Sequence, residues 1–313
     1  KEPRFSQNSR MLSRTVCSRL MHGVGHNGRS IVTVAFLGLG AMGYPMSGNI
    51  NDKYRTIVWN RSAKVSKKHA HEYGTERRES LSDIGDADAV FMCLPTSNEV
   101  SEVVDSALPH LKEGAVLVDC TSGHPLVTQE IAARAAEAGH GMVDCAVSGG
   151  PAGAKAGTLA GFIGGLTEHV ERVKPVISTF TAKMVHLGPV GSGHAVKSIN
   201  NTLNVTQLLL ATEGLLALKK LGIDPARALE VINSSSGRSL MTQERIPRDV
   251  LTGNFNYGFK HALMRKDVLI AMGLVEEHFP QATIMRETVR LQTAALESGV
   301  CEEDSDYTEV IRE

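Results

Sequence analysis

The pattern of apolar and polar positions divides the chain into two unlike halves. In the first half, short apolar runs alternate with stretches whose apolar residues recur at helical spacing, as in residues 125–138. Short apolar runs bounded by turns are typical of buried strands, and their alternation with helices predicts a parallel sheet covered on both faces. The predicted strands are residues 31–37, 55–59, 89–94, 115–119, 142–147, 158–163 and 183–187.

The second half contains helical patterns and no convincing strand. Glycine follows the same division, with 18 glycines in residues 31–190 and 9 in residues 191–313. The fold class that follows is α/β, a doubly wound sheet (residues 31–190) followed by an all-α C-terminal half (residues 191–313) that begins with a long helix. The predicted helices are residues 195–221, 225–234, 262–278 and 281–298.

Composition adds a third segment at the start of the chain. Of the 313 residues, the first 30 carry six basic residues and one acid, whereas the remainder carries 27 basic and 33 acidic residues. An arginine- and serine-rich leader almost free of acids is typical of a mitochondrial targeting segment, and a disordered tail is the alternative. The acidic body is a poor partner for nucleic acid. No run reaches the ~18 apolar residues of a membrane span, and no histidine or cysteine spacing indicates a metal site.

A glycine-rich motif directly follows the first predicted strand and opens a helix, which is the context that dinucleotide binding requires. Its first glycine permits a tight turn, its second lets a pyrophosphate approach the backbone, and its third lets the helix pack closely on the strand. The phosphates then meet the free N–H groups of a helix N-terminus. The predicted cofactor-binding residues of this motif are Gly38, Leu39, Gly40, Ala41, Met42 and Gly43.

The end of the second predicted strand indicates which dinucleotide is preferred. Proteins that bind NAD place Asp or Glu about 20 residues past the glycines, where it contacts the ribose. This chain has Asn60, Arg61 and Ser62 there. A carboxylate would repel a 2′-phosphate, whereas an arginine can pair with it and the two polar side chains can donate hydrogen bonds. The sequence therefore favours NADP over NAD, with a solvated Arg61 and a helix-capping Ser62 as the structural alternative.

Six motifs in order make the chain resemble the β-hydroxyacid dehydrogenases, the family of 3-hydroxyisobutyrate dehydrogenase and semialdehyde reductases. The likeness runs from about Val34 to the C-terminus. It implies a Rossmann-type doubly wound sheet followed by an all-α C-terminal domain joined to it by a long helix. It also implies a reversible oxidation of a β-hydroxy acid to its semialdehyde or ketone, with hydride passing to a nicotinamide in a cleft between the two domains. The motifs are residues 38–43, 94–96, 119–122, 144–165, 193–201 and 266–267.

The start of the long predicted helix carries the candidate catalytic groups. Lys197 and Asn201 are four residues apart, so they share one helical face. Hydride transfer to a carbonyl leaves an alkoxide that needs a proton, and a lysine with a pKa lowered by burial can donate and retrieve it. By resemblance, Lys197 is the general acid and base and Asn201 helps to hold the substrate. The alternative is that Lys197 is a structural lysine whose ammonium reaches solvent. His194 is a second candidate for the acid, and its alternative is a structural role.

Two further loops are assigned by the same resemblance. A serine followed by two glycines can form a backbone nest for a carboxylate. The strand end at residues 94–96 would line the nicotinamide ribose, and Lys266 would reach the cofactor from the second domain, although by itself it belongs to a solvated face. The implied substrate residues are Thr121, Ser122, Ser148, Gly149 and Gly150, and the implied cofactor residues are Leu94, Pro95, Thr96 and Lys266.

These observations lead to one main hypothesis and two alternatives. The main hypothesis is an NADP-preferring, NAD-tolerant dehydrogenase most like 3-hydroxyisobutyrate dehydrogenase of valine catabolism, in the mitochondrial matrix if the leader is a targeting segment and otherwise in the cytoplasm. The first alternative is an NADPH-dependent glyoxylate, succinic or tartronate semialdehyde reductase. The second is a non-catalytic dinucleotide-binding assembly protein, which would be expected to lack Lys197. The apolar long helix also predicts a homodimer or homotetramer.

Overall fold

The first half of the chain forms one eight-stranded sheet. The computed structural model describes residues 30–312, so the predicted leader lies, except for Ser30, outside the described residues. The strand order is β3-β2-β1-β4-β5-β6-β7-β8. The strands are β1 (Thr33–Leu37), β2 (Arg55–Trp59), β3 (Glu76–Arg77), β4 (Ala89–Met92), β5 (Val116–Asp119), β6 (Gly141–Ser148), β7 (Leu159–Gly165) and β8 (Thr181–Gly188).

The sheet departs from the predicted all-parallel arrangement at one place. β6 and β7 pair antiparallel, with Ser148 opposite Ala160, whereas the other neighbouring strands pair in parallel. Only residues 149–158 join these two strands. A parallel crossover needs a dozen or more residues, so this short connection can only return the chain in the opposite direction.

Six helices cover the two faces of the sheet. Residues of β1 alternate between the two hydrophobic cores, with Val34 and Phe36 in one and Ala35 and Leu37 in the other. Both faces are therefore buried, as doubly wound sheets require. The helices are α1 (Gly43–Asn51), α2 (Ala63–Tyr73), α3 (Ser97–Ala107), α4 (Pro125–Glu137), α5 (Gly150–Ala156) and α6 (Thr167–Ile177).

The second half is helical, so the predicted fold class is confirmed. A helix of 29 residues leaves the sheet and continues into a separate helical core. None of the helices within residues 30–312 is long and apolar enough to cross a membrane. The elements are α7 (Ser192–Lys220), α8 (Pro225–Asn233), α9 (His261–His278), α10 (Ile284–Glu297) and a π-helical segment (Met241–Val250) that the sequence did not predict because Pro247 interrupts its pattern.

A buried carboxylate attaches the long helix to the sheet. Asp144 of β6 has no exposed surface; its Oδ1 accepts a 2.7 Å hydrogen bond from the Gly191 N–H and its Oδ2 a 2.9 Å bond from the His194 N–H. Gly193 lets the helix approach, because a Cβ there would collide with the carbonyl oxygen of Phe162. The negative charge lies at the positive end of the α7 dipole. The first turn of α7 is therefore held at a defined place on β6 and β7.

We predict that Asp144→Ala lowers the free energy of unfolding by about 2–4 kcal/mol, because two backbone N–H groups lose a charged, buried acceptor. Urea denaturation followed by circular dichroism measures this. The matched control is Asp304→Ala, which removes an 81% exposed carboxylate paired with Lys260 and is expected to change stability by less than about 1 kcal/mol. Equal effects of the two substitutions would contradict the anchoring role of Asp144.

Candidate active site

The three glycines of the glycine-rich loop have three different surroundings. Gly38 has φ +94° and a Cβ on it would collide with the Cys93 carbonyl oxygen, so the turn into α1 requires glycine. A Cβ on Gly43 would collide with the Gly38 carbonyl oxygen, which shows how closely the helix returns to the strand end. Gly40 is exposed, with no atom within 4 Å of the position of a Cβ. The free space at Gly40, before the N-terminus of α1, suits a dinucleotide pyrophosphate.

The residues that follow β2 have two different surroundings: Asn60 contacts the glycine-rich loop, and Arg61 and Ser62 face solvent. Asn60 Oδ1 accepts a 2.9 Å hydrogen bond from the Leu39 N–H, and Asn60 Nδ2 donates to the Ser62 carbonyl at 3.2 Å. Asn60 thus holds the loop, a role that we had not assigned to it. Arg61 and Ser62 are exposed, and Arg61 makes no hydrogen bond or ion pair within residues 30–312. The pKa of Glu99, which the Thr96 hydrogen bond lowers most, is also lowered by the charge of Arg61. Ser62 occupies the N-cap position of α2, but its side chain makes no capping hydrogen bond.

The strand end after β4 is organised by a helix cap. Thr96 is the N-cap of α3: its hydroxyl accepts from the Asn98 N–H and donates to Glu99. The Leu94 N–H donates a 3.1 Å hydrogen bond to Thr121 Oγ1, which joins this strand end to the one after β5. Pro95 is exposed between them. Thr121 is 1% exposed and its hydroxyl is already engaged, so it supports the loop from inside.

Lys197 and Asn201 lie on the face of α7 that the sequence predicted, and both are buried. The Lys197 ammonium lies 5.9 Å from the centre of the Phe162 ring on β7 and makes no hydrogen bond or ion pair with any residue of the described range. Asn201 Nδ2 donates a 2.6 Å hydrogen bond to Asp267 Oδ2 from α9. The long helix therefore presents a lysine and an amide side by side where the two halves of the chain meet.

The environment of Lys197 changes its acidity. Burial lowers the pKa of Lys197 to about 8, because the charged ammonium is separated from water. The negative charge of Asp267 opposes this shift in the pKa, and the positive charge of Lys266 adds to it. A lysine with this pKa is present in both protonation states near neutral pH, which is what a group that both donates and accepts a proton requires.

Lys266 reaches across from α9 to the loop after β5. Its ammonium donates to the Ser122 carbonyl oxygen and also to Asp267 Oδ1, the latter at 2.8 Å. The side chain is 22% exposed, so it does not lie on a solvated face. Asp267 thus accepts from both Lys266 and Asn201 and lies close enough to Lys197 to influence its pKa.

Ser148 is the last residue of β6, the strand that also carries Asp144, and Gly149 and Gly150 follow it. Ser148 is half-buried, and Gly149 (φ +135°) and Gly150 (φ +65°) lead into α5. The consecutive N–H groups at the start of α5 suit a carboxylate. The hydroxyl of Tyr257, from the second half of the chain, ends 3.4 Å from the position of a Cβ on Gly150. This loop and the second half therefore meet at the predicted substrate position.

His194 is part of the structure between the two halves. It is 1% exposed, and its Nδ1 lies 2.8 Å from Thr128 Oγ1. The Thr128 hydroxyl donates to the His124 carbonyl oxygen, so it accepts from His194 Nδ1. His194 Nε2 lies 3.9 Å from Asp119 Oδ2. Both ring nitrogens of His194 thus face protein groups of the first half, whereas the ammonium of Lys197 has no hydrogen bond within residues 30–312, so Lys197 is the better candidate for the acid.

The structure brings several of the predicted residues together where the two halves of the chain meet, and it adds others. Asp267 binds both Lys266 and Asn201 and lies near Lys197, and Lys266 also contacts Ser122. Ser148 lies at the end of β6, which pairs with the strand β7 that carries Phe162. The sequence reasoning did not assign roles to Asp144, Asp267 or Tyr257. Asp267 could have been found as the acid next to Lys266, whereas the position of Tyr257 follows only from the packing of the second half against the sheet.

Comparison with known proteins gives a family match for each half of the chain. Residues 33–188 match the family described as the NAD binding domain of 6-phosphogluconate dehydrogenase. Residues 191–313 match the family described as NAD-binding of NADP-dependent 3-hydroxyisobutyrate dehydrogenase. Together these two matches cover nearly all of the residues that form the sheet and the helical half.

Individual relatives extend over most of the chain. The 2-(hydroxymethyl)glutarate dehydrogenase of Eubacterium barkeri is 32% identical, over 86% of this chain and 89% of that protein. The mitochondrial 3-hydroxyisobutyrate dehydrogenase of Homo sapiens is 31% identical, over 82% and 77%. The solved structure of 3-hydroxyisobutyrate dehydrogenase from Mycobacterium tuberculosis, with L-serine, superposes with a TM-score of 0.83 at 27% identity and covers 90% of this chain and 98% of that one.

Proposed function

Because this chain belongs to the β-hydroxyacid dehydrogenase family, we propose that it interconverts a β-hydroxy acid and its semialdehyde with Lys197 as general acid and base. The chain is an oxidoreductase that acts on a CH–OH group and uses a nicotinamide dinucleotide. The relatives are themselves named dehydrogenases, so the alternative of a non-catalytic assembly protein loses its support. The observation that carries the proposal is the buried, unpartnered ammonium of Lys197, whose pKa is lowered to about 8.

In this proposal each residue near Lys197 has a separate role in the reaction. The bound cofactor supplies the acceptor or donor of hydride. In the oxidation direction the neutral amine of Lys197 takes the proton of the substrate hydroxyl, and in the reduction direction its ammonium returns a proton to the oxygen. Asn201, held by Asp267, donates a hydrogen bond to the same substrate. Asp267 also keeps the pKa of Lys197 from falling further.

The substrate carboxylate has a defined place in this proposal. Ser148 and the N–H groups of Gly149 and Gly150 bind it. They lie at the C-terminal end of β6, which pairs with β7, and β7 carries the Phe162 ring that faces Lys197. Ser122 borders the same cleft and is held by Lys266, while Thr121 positions the loop from inside. The carboxylate and the reacting oxygen are then bound by different elements, which orients the carbon that carries the hydride.

We propose 3-hydroxyisobutyrate as the leading substrate, supported by the family match of residues 191–313 and by the relatives of that name. The alternative is an enzyme that mainly reduces glyoxylate, succinic or tartronate semialdehyde with NADPH. A further candidate is 2-(hydroxymethyl)glutarate, for which the Eubacterium barkeri relative is named. All three classes present a carboxylate and a carbonyl or hydroxyl to the same groups.

The proposed cofactor is NADP in preference to NAD. The loop of residues 38–43, the strand end of residues 94–96 and Lys266 form its binding surface in this proposal. Arg61 is exposed and has no ion pair within residues 30–312, and with Ser62 beside it this supports binding of a 2′-phosphate, because the guanidinium keeps free donors although Glu99 acts on it through space. Asn60 contributes indirectly by fixing Leu39.

The setting of the enzyme is also a proposal. The basic composition of residues 1–30 and the mitochondrial relatives support a location in the mitochondrial matrix. The exposed residues Val196, Leu203 and Leu210 recur every seven positions on α7 and support a homodimer or homotetramer. The end of β8 at Gly188 and the start of α7 at Ser192 support a division into domains of residues 31–190 and 191–313.

We predict that Lys197→Ala lowers turnover of 3-hydroxyisobutyrate at least about 100-fold, because the proton has no acceptor. Affinity for the dinucleotide, measured by fluorescence titration, should stay within about 3-fold, since Lys197 lies over Phe162 rather than at the glycine-rich loop. The matched control is Lys219→Ala, an exposed lysine at the other end of the same helix. Near-normal turnover of Lys197→Ala would show that another group carries the proton.

The lowered pKa of Lys197 predicts opposite pH dependences for the two directions. The kcat/KM for oxidation should rise as the pH increases through about 8, because the neutral amine is the base, and the kcat/KM for reduction should fall over the same interval. The substitution Asp267→Asn removes the charge that raises this pKa, so both midpoints should move to lower pH by about one unit. Unchanged midpoints in Asp267→Asn, with Asp304→Asn as the exposed control, would contradict the assignment.

We predict that Arg61→Glu raises the KM for NADP at least about 10-fold, because a carboxylate repels the 2′-phosphate. The KM for NAD should remain the same or decrease. Initial rates with both cofactors measure this, and Lys183→Glu provides the same charge change at an exposed position on β8. An equal increase in both KM values would mean that Arg61 does not distinguish the two cofactors.

A further inference from the structure

One buried charge in the helical half has no acidic partner. Arg245 lies in the π-helical segment Met241–Val250 and is 8% exposed. Within residues 30–312 its guanidinium forms no ion pair, and its Nε atom has no hydrogen-bond partner. Buried arginines are normally paired with a carboxylate or other acceptor, because an uncompensated charge away from water is strongly unfavourable. The site around Arg245 is therefore suited to an anion that is not part of this segment of the chain.

The neighbours of Arg245 orient its guanidinium without neutralising it. The guanidinium carbon lies 3.5 Å from the centre of the Tyr257 ring. Burial raises the pKa of Tyr307, and the charge of Arg245 and its hydrogen bond to the neutral phenol oppose that rise. Arg248 on the same segment provides a contrast. It is exposed, and both of its donors bind the carboxylate of Asp249, at 2.8 and 2.6 Å. The segment has two acids: Asp249 pairs with Arg248, and Glu244 is exposed and forms no ion pair with Arg245.

The position of Arg245 relates it to the proposed substrate site. The Tyr257 ring on which it stacks ends at Gly150, with the hydroxyl 3.4 Å from the position of a Cβ there. Gly150 belongs to the loop that would bind the substrate carboxylate, and the π-helical segment packs against α7, which carries Lys197. One aromatic ring thus separates the guanidinium from the carboxylate nest.

We infer that Arg245 binds a second acidic group on the substrate, so that the enzyme accepts β-hydroxy acids whose side chain ends in a carboxylate. The inference rests on the proposed function and specifies its substrate class. The first carboxylate lies at Ser148–Gly150, the hydroxyl at Lys197 and the second carboxylate at the planar guanidinium, which can bind it through two parallel hydrogen bonds. The side chain of 3-hydroxyisobutyrate is a methyl group, which has no carboxylate for Arg245 to bind.

The test compares three substrates that differ only in the side chain. They are 3-hydroxyisobutyrate, 2-(hydroxymethyl)glutarate and the amide of its distal carboxyl group, which keeps the shape and loses the charge. With the wild-type enzyme, kcat/KM for the dicarboxylate should exceed that for the amide at least about 10-fold. Equal values for the two compounds would overturn the inference without any variant.

The variants then assign the effect to one residue. Arg245→Gln should lower kcat/KM for the dicarboxylate by about 10- to 100-fold, mainly through KM, and leave the amide and 3-hydroxyisobutyrate within about 3-fold. Arg245→Lys should restore part of the loss, because it keeps the charge but lacks the fork of donors. The control is Arg227→Gln, which removes an exposed positive charge from α8. An equal loss for all three substrates would show a purely structural role and overturn the inference.

Failure of the proposed function would give a different result. If the enzyme turns over none of the three compounds, the reaction class is wrong. Binding at Arg245 is then tested by the rise in Tm with glutarate and with glutaramate. A larger rise with glutarate in the wild type, absent in Arg245→Gln, supports the anion site, and equal shifts in both proteins overturn it.

Discussion

The buried carboxylate of Asp144 is the constraint on which the geometry of the site depends. It lies in the middle of β6 and binds two N–H groups of the first turn of α7, so the sheet determines where the long helix begins. One turn later the same helix presents Lys197 over Phe162, and one further turn later it presents Asn201 to α9. Because a helix is rigid, one attachment point at its start places both side chains, and Gly193 permits the close approach that this requires.

A second carboxylate, Asp267, determines the charge of the cleft. It binds Lys266 and Asn201 directly and acts on Lys197 through space. Two lysines therefore lie near one acid, and this grouping of basic side chains suits an anionic substrate beside an anionic cofactor in the proposed reaction. The same arrangement leaves the ammonium of Lys197 without a hydrogen bond and allows burial to lower its pKa. Arg245 adds a further positive charge at the edge of the same region.

Much of the fold could be predicted from the sequence, because the apolar pattern is repeated over many residues and each strand is bounded by turns. The antiparallel pairing of β6 and β7 was not predicted, although the short connection between them explains it. Among the site residues, the glycine-rich loop and the shared helical face of Lys197 and Asn201 were found from spacing. The roles of that pair and the loop of residues 148–150 came from resemblance. Asn60 and Thr121 were found as residues but not as supports of neighbouring loops, because hydrogen bonds across 21 or 27 positions leave no periodic signal.

The sequence by itself determined the local features of this protein: the strand and helix periods, the turn glycines and the common helical face of Lys197 and Asn201. These features depend on residues within a few positions of each other, so their spacing is enough to predict them. Only the tertiary structure decided that Lys266 reaches the Ser122 carbonyl, that Asp267 joins Lys266 to Asn201, and that Arg245 is buried with no ion pair to an acid of residues 30–312. Burial and charge pairing depend on which distant segments pack together, and that is a property of the whole fold.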